Sequence, residues 1–523
     1  MISHSSIYSS KDTLNVVKNK PRNIYHYFDH YPIKPKNSSF PIRPTLIIVI
    51  KTKKITEKTL ELSILNSIHI DRQQIFIIQT NSPNESQYFP YESTICSNIS
   101  FPYCIYTNYD QTDNFSFFLS IFYPSDYVLY IDEDQLTLDI KEKLTNEWLT
   151  NAINSIETND INLFSCSLTV NYFFHRNYIQ MNACLLMKQA LIRKILSYTS
   201  INKNIISIID YIPYFFQIEN KTMFYDSFII SKTYHPMTYP SLLPQVFKCT
   251  YNNDNKSDNS LTLLLPIYKR ITSINILNLL EKQTKKPDII IILQNLHYIE
   301  FPKEAFLNRT MPTYYIWCSN WNSKYHMKTF LASLFTTTFA MTTDDDYYID
   351  DYNAINNTLS LLNKKESMYG VWGGMNLRDI NDQHFSNVKR DHNLVDHAAY
   401  IVFFRPRMSK INMRYNQATY YAGEDIGLGA INYLECNTTS YITNFRSHNH
   451  SDDEFRSIIQ NDDTMIVNSY KNITNPNNTK FLVNMSYNKI YNYYLTIGFK
   501  SYFYRISNET VTSTHNARLP IEF

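Results

Sequence analysis

The chain has 523 residues and a formal net charge of +2, which is enough length for two hydrophobic cores and too little charge imbalance for the basic field of a nucleic-acid-binding protein. No segment reaches the roughly 18 consecutive apolar residues of a membrane span, and Met1–Ser6 has no apolar signal region, so a cytoplasmic protein without an integral membrane segment is expected. Seven cysteines, an odd number without CxxC or Cys/His zinc spacing, read as scattered core thiols of a reducing compartment.

Residues 1–44 are polar, carry Pro32, Pro35, Pro41 and Pro44, and read as an arm. From residue 45 to 250 apolar strand patterns alternate with helical ones. Strands are predicted at Leu46–Lys51, Gln74–Gln79, Tyr103–Thr107 and Tyr127–Ile131, and helices near Glu57–Ser67, Phe115–Phe122 and Lys141–Glu157. Such alternation makes a mostly parallel sheet covered by helices. The last of those strands runs directly into Asp132-Glu133-Asp134.

A polar tract, 252–260, separates this region from a second one in which the pattern restarts. Strand Leu261–Leu265 leads into Pro266-Ile267-Tyr268-Lys269-Arg270, strand Asp288–Leu293 ends in Gln294-Asn295, and helices are predicted near Ser273–Gln283 and Lys324–Phe335. The run Phe339-Ala340-Met341 then closes on Asp344-Asp345-Asp346. The acidic triplets are 344 − 132 = 212 residues apart, and the strands and helices before them match in nearly the same register. A repeat of that period means two copies of one domain, spanning 45–250 and 261–450, with a carboxy-terminal extension at 451–523.

Adjacent carboxylates at a strand end repel one another unless a cation or a proton relieves them. Mg²⁺ or Mn²⁺ is the simplest relief, because these ions take oxygen ligands and leave positions open for phosphate oxygens. A solvated acidic loop is the plainer alternative. Six of the seven glycines fall in Gly370–Gly374 and Gly423–Gly429, which points to the second copy as the place where backbone turns tightly or approaches a ligand closely.

In an open α/β sheet, ligands bind beyond the carboxyl ends of the strands. Pro266, Tyr268, Arg270, Gln294 and Asn295 therefore read as contacts to a nucleotide base and ribose, beside Asp344, Asp345 and Asp346 at the phosphates. Lys328 either adds positive charge there or is a solvated lysine.

The order of these motifs resembles the metal-dependent GT-A glycosyltransferases with their DxD and ED motifs. The residues that carry the resemblance are Asp344–Asp346, Gly370–Asn376, Val395-Asp396-His397-Ala398-Ala399-Tyr400-Ile401-Val402-Phe403-Phe404 and Gly423-Glu424-Asp425-Ile426, over about Leu261–His450. The resemblance implies an α/β fold of two tandem GT-A-like domains and transfer of a sugar from a nucleotide-sugar donor to a hydroxyl of a glycan, protein or lipid acceptor. It implies that Asp344 and Asp346 hold Mn²⁺ or Mg²⁺, with His448 or His450 where such enzymes place a further ligand. Asp425 becomes the candidate base with Glu424 beside it, and Trp372, Gly373 and Gly374 form the acceptor side. For Glu424 and Asp425, capping of the following helix is the competing role.

The first copy retains Asp132 and Asp134, with His235 at the position of His448, but lacks the glycines and a Glu before Asp210. It reads as a second transferase, a diverged binding module or a scaffold. A nucleotidylyltransferase is disfavoured by the missing glycine-rich loop after either first strand. A DxDx[TV] phosphatase is disfavoured by Leu136 and Tyr348 at the fifth position, and an EF-hand by Ile349 at the sixth. A non-catalytic carbohydrate-binding scaffold is the other class of function.

Overall fold

The computed structural model describes residues 46–55, 59, 75–80, 103–109, 112–120, 125–136, 138–158, 163–165, 169–173, 176–180, 184–192, 223–225, 228–230, 258–267, 274–295, 309–318, 327–328, 331–335, 337–376, 385–388, 394–412, 424–443, 445–449 and 498–499. It is an α/β fold. In chain order the first half contributes β1 (Leu46–Thr52), β2 (Ile75–Thr80), β3 (Tyr103–Thr107), helix α1 (Thr112–Leu119), β4 (Tyr127–Asp132), α2 (Leu138–Lys143), α3 (Asn146–Thr158), β5 (Leu163–Ser165), β6 (Thr169–Phe173), β7 (Arg176–Gln180), β8 (Cys184–Lys188), β9 (Met223–Tyr225) and β10 (Phe228–Ile230). The second half contributes β11 (Leu261–Ile267), α4 (Ile274–Leu280), β12 (Ile289–Asn295), β13 (Thr313–Cys318), β14 (Phe339–Thr343), β15 (Tyr347–Ile349), α5 (Ala354–Lys364), β16 (Tyr369–Asn376), β17 (Phe385–Val388), β18 (Leu394–Val395), β19 (His397–Phe404), α6 (Pro406–Asn412), α7 (Glu424–Cys436), β20 (Ser440–Ile442) and β21 (Ser447–Asn449).

The strands that form the centre of each half are continuous apolar runs, as buried parallel strands require. In the first half β3, β2, β1 and β4 are parallel neighbours in that order, and β8 then runs antiparallel against β4. The second half repeats the arrangement with β13, β12, β11 and β14, and β19 antiparallel against β14. The halves meet where β3 pairs antiparallel with β13, Tyr106 opposite Trp317, the two rings 5.2 Å apart. The pairing covers what are otherwise two exposed sheet edges. One core cluster runs across both halves, from Ile47 and Val49 to Leu264, Ile291 and Leu428.

Several element boundaries differ from those read along the sequence. The helix expected over Lys141–Glu157 is two helices, divided at Leu144 and Thr145, where Thr145 Oγ1 accepts the Trp148 N–H at 3.2 Å and starts α3. The region expected as a helix over Lys324–Phe335 contains a 3₁₀ turn at Leu331–Leu334. The cysteine reading is corrected at two positions. Cys184 and Cys318 are buried thiols, but Cys104 and Cys436 each take part in a disulfide, an approach of chain segments that cysteine spacing does not encode. Among the described residues no helix is long and apolar enough to cross a membrane. The expected arm at 1–44, the helix near 57–67 and nearly all of the extension at 451–523 lie outside the described residues.

Gly370, Gly373 and Gly429 serve packing between protein segments. A Cβ on Gly429 of α7 would lie 2.3 Å from the Asp396 carbonyl oxygen and 2.7 Å from the His397 Cβ, and one on Gly373 would lie 2.6 Å from the His397 carbonyl oxygen. Glycine inside a helix costs about 1 kcal/mol relative to alanine, and here it lets α7 lie directly on the start of β19. Gly429→Ala is therefore expected to destabilise the fold by about 1–3 kcal/mol although alanine is the better helix former. Urea unfolding measures this, and a neutral or stabilised variant would show that the helix is not held so close.

Candidate functional site

The strand order places the site. β11 lies between β12 and β14, so the strand order reverses between β11 and β14, and in open α/β sheets ligands bind beyond the carboxyl ends of the strands at such switch points. β14 ends at Thr343, and Asp344, Asp345 and Asp346 form the turn into β15. β15 pairs with β21 so that His448 stands opposite Tyr348, two residues beyond Asp346 in the chain.

Lys328 joins the two acidic motifs. It is only 5 % exposed, its Nζ donates to Asp344 Oδ1 at 2.5 Å, and the same Nζ lies 3.7 Å from Glu424 Oε1. Burial disfavours its charge, but Asp344 and Glu424 outweigh burial and hold the ammonium group protonated above the usual lysine range. Glu424 is 6 % exposed, and burial followed by repulsion from Asp425 pushes its carboxyl up to about 8, against the pull of Lys328. Sequence reasoning left Lys328 open between a phosphate contact and a solvated side chain. The structure makes it the buried tie between strand end and helix start.

Asp425 is the more exposed of the helix acids. Its Oδ1 accepts the Ile426 N–H at 2.9 Å, and its Oδ2 lies 3.6 Å from His397 Nε2. Both acids thus sit in the first turn of α7, where the helix dipole favours negative charge, while Glu424 also faces Lys328. Burial depresses the basicity of His397, opposed by Asp425 and Asp396, so this imidazole favours its neutral form. His397 was not singled out from the sequence as a site residue. A histidine in an apolar strand becomes informative only once α7 is packed on it.

The other expected residues are placed as follows. Gln294 and Asn295 are buried at the end of β12, and Pro266 pairs with Leu293 near the end of β11, so these three reach the same edge of the sheet as the acids. Trp372 is half-buried in β16, its ring T-shaped to that of Tyr400 with centroids 5.8 Å apart, and Gly373 and Gly374 pair with Ala398 and His397. Tyr268, Arg270, His235, His450 and Asp210 lie outside the described residues, as does the side chain of His448.

In the first half the corresponding acids have partners of their own. Lys51 Nζ is 3.2 Å from Asp132 Oδ2, Gln135 donates to the same oxygen at 3.1 Å, and the Lys53 backbone N–H donates to Asp134 at 3.2 Å. Glu133 accepts from Thr59 at 2.8 Å and lies 3.3 Å from Lys141. Lys51 thus gives Asp132 a cation from within the protein.

Among the described residues no group of three or more His, Cys, Asp and Glu side chains is arranged to hold an ion. Asp344 gives one oxygen to Lys328, and Asp346 follows in the same turn. Two carboxylates of this kind fit Mg²⁺ or Mn²⁺ in the mode that completes its shell with substrate phosphates and water.

The class defined by fold and site is thus an α/β protein with acids at the end of a central strand, tied to a helix start by a buried lysine. No protein-family model matches the chain. No curated protein sequence matches it. Solved structures similar to it include TarS residues 1–349 of S. aureus, at 12% identity and TM-score 0.28 over 44% of this chain and 70% of that one. Another is HddC from Yersinia pseudotuberculosis, at 10% identity and TM-score 0.25 over 38% of this chain and 97% of that one. A longer TarS structure aligns at 13% identity and TM-score 0.26 over 44% of this chain and 42% of its own length.

Proposed function

We propose that the second half is a glycosyltransferase that moves a sugar from a nucleotide-sugar to an acceptor hydroxyl. The observation that carries the reading is the contact of Lys328 with both Asp344 and Glu424, which brings acids 424 − 344 = 80 residues apart to one crevice. In this reading Asp344 and Asp346 hold a divalent cation, Mn²⁺ or Mg²⁺, whose chemistry is to neutralise the departing diphosphate. Lys328 fixes Asp344 and Glu424 relative to each other and offsets their repulsion. Asp425 accepts the proton of the acceptor hydroxyl as the oxygen bonds to the anomeric carbon and the bond from that carbon to the diphosphate oxygen breaks. His397 orients the Asp425 carboxylate from beneath. Gln294 and Asn295 line the nucleotide end.

For the first half a different role is assigned, because its sequence lacks the glycines of the second half and has Ile209 where a counterpart of Glu424 would stand before Asp210. That half is read as the diverged copy of a tandem pair, bracing the edge strand β13 through β3.

Thermal unfolding of the full chain with a panel of nucleotide-sugars, with and without Mn²⁺, tests the assignment. A donor at about 100 times its Kd stabilises the folded state by about 2.7 kcal/mol, an upward shift of several degrees. Asp346→Ala is expected to abolish the metal-dependent part of that shift. An equal shift in the variant would remove Asp346 from the metal site.

A further inference from the structure

Lys328 stands between two carboxylates that differ in their access to solvent. Its Nζ donates to Asp344 Oδ1 at 2.5 Å and lies 3.7 Å from Glu424 Oε1. The Asp344 side chain is 23 % exposed, whereas those of Lys328 and Glu424 are 6 % and 8 % exposed. Asp344 is therefore the carboxylate that a cation arriving from solvent meets, and Glu424 is the one behind it. A lysine this buried needs an acceptor oxygen wherever it settles, and Glu424 is the near one. A lysine on the first acid of the strand-end triplet recurs in the first half, where Lys51 Nζ lies 3.2 Å from Asp132 Oδ2.

The step from one acid to the other is short. A hydrogen bond from an ammonium group to a carboxylate is about 2.7–2.9 Å long, so a move of about 1 Å towards Glu424 transfers the lysine. Glu424 can receive it in either protonation state, because a carboxylic acid keeps an acceptor oxygen. A divalent ion can use the Asp344 oxygen only after the ammonium group has left it, and the two cations then remain close neighbours. Repulsion between a divalent ion and an ammonium group at such range costs roughly tenfold or more in affinity. A diphosphate offsets that repulsion, since its negative charge attracts both.

We infer that Lys328 is a two-position counter-ion that makes metal binding conditional on the nucleotide. It holds Asp344 in the ligand-free protein and withdraws to Glu424 when a metal ion and a diphosphate are bound together. The inference rests on the glycosyltransferase reading, with Asp344 and Asp346 as metal ligands, and names the form in which the cation is taken up: with a nucleoside diphosphate, not as the free ion.

The test is titration of the full chain with Mn²⁺ at neutral pH, followed by electron paramagnetic resonance of the free ion, in the unmodified protein, Lys328→Met and Glu424→Met. Methionine keeps a flexible apolar stem at either position. Without nucleotide, Lys328→Met should bind Mn²⁺ about tenfold more tightly than the unmodified chain, because the competing ammonium group is gone. Glu424→Met removes the place to which the lysine withdraws and should bind the ion more weakly. Residues that only hold the fold together would shift both variants in the same direction. Adding Asp346→Ala to Lys328→Met should abolish the gain, and a gain that persists belongs to another site and overturns the inference. Mn²⁺ binding by Lys328→Met equal to or weaker than that of the unmodified chain also overturns it, and leaves the enzyme reading standing. Where Lys328→Met does not fold, Glu424→Met decides: weaker Mn²⁺ binding upholds the inference, and unchanged or tighter binding overturns it. If none of these chains binds Mn²⁺, either alone or with UDP, GDP or dTDP, the reading and the inference fall together.

Discussion

Replacing Lys328 with alanine is expected to destabilise the second half by about 3–5 kcal/mol above pH 8, where the buried Glu424 and the partly buried Asp344 are both left without their shared cation. Asp344 and Glu424 both lie against this one ammonium group, and neither Lys328 nor Glu424 is more than 6 % exposed, so solvent cannot take over its role. The loss should depend on pH in a defined direction. Glu424 titrates near 8 in the folded chain against an ordinary value of 4.5, so the folded state holds its proton more tightly than the unfolded state does. Stability contributed in this way is full below pH 4.5 and is lost as pH rises towards 8. Above pH 8 the carboxylate of the unmodified chain ionises against Lys328, whereas in Lys328→Ala it has no cation to face. Urea unfolding at pH 6.5 and pH 9 should therefore show a larger deficit at the higher pH. Equal deficits would mean that Glu424 does not depend on Lys328 for its charge.

Asp425→Asn is expected to lower sugar transfer by about 10²–10⁴-fold, the usual contribution of a positioned general base, while donor binding and the fold are retained. The amide keeps an oxygen for the Ile426 N–H, which Asp425 Oδ1 accepts at 2.9 Å, so the start of α7 survives the change. It cannot accept a proton, and it removes the negative charge 3.6 Å from His397 Nε2. A steady-state comparison of kcat with donor affinity separates the two roles. Undiminished transfer by the asparagine variant would assign proton removal to another group, and loss of donor binding would place Asp425 at the nucleotide instead of the acceptor.

The parts of this protein that could be read from the sequence are those in which one short segment carries its own physical signal. Leu261–Leu265, Ile289–Leu293 and Phe339–Met341 are apolar runs closed by polar residues, and each is a buried strand. The acids at 344–346 and 424–425 stand out because like charges side by side need relief, and one of each cluster, Asp344 and Glu424, lies against Lys328. The central strands of both halves are apolar runs in the sequence, and they pair in the same order, β3-β2-β1-β4 and β13-β12-β11-β14.

Tertiary structure decided the rest, because it depends on which segments are pressed together. Lys328 looks like any helical lysine until Glu424 and Asp344 close over it and remove water, which turns a solvated charge into the tie of the site. His397 and Tyr400 sit in a strand pattern that says only that they belong to β19. The close approach of α7 at Gly429 makes the first a partner of Asp425, and the extra residue opposite Val371 puts the second in left-handed backbone with its ring stacked on Tyr347. The acids of the first half were read as a likeness to those of the second. Lys51, from a strand 81 residues away in the chain, gives Asp132 a partner inside the protein, and only the parallel pairing of β1 with β4 brings the two together. Charge pattern along a chain records which groups need neutralising, whereas the partner that neutralises them is chosen by non-local pairing.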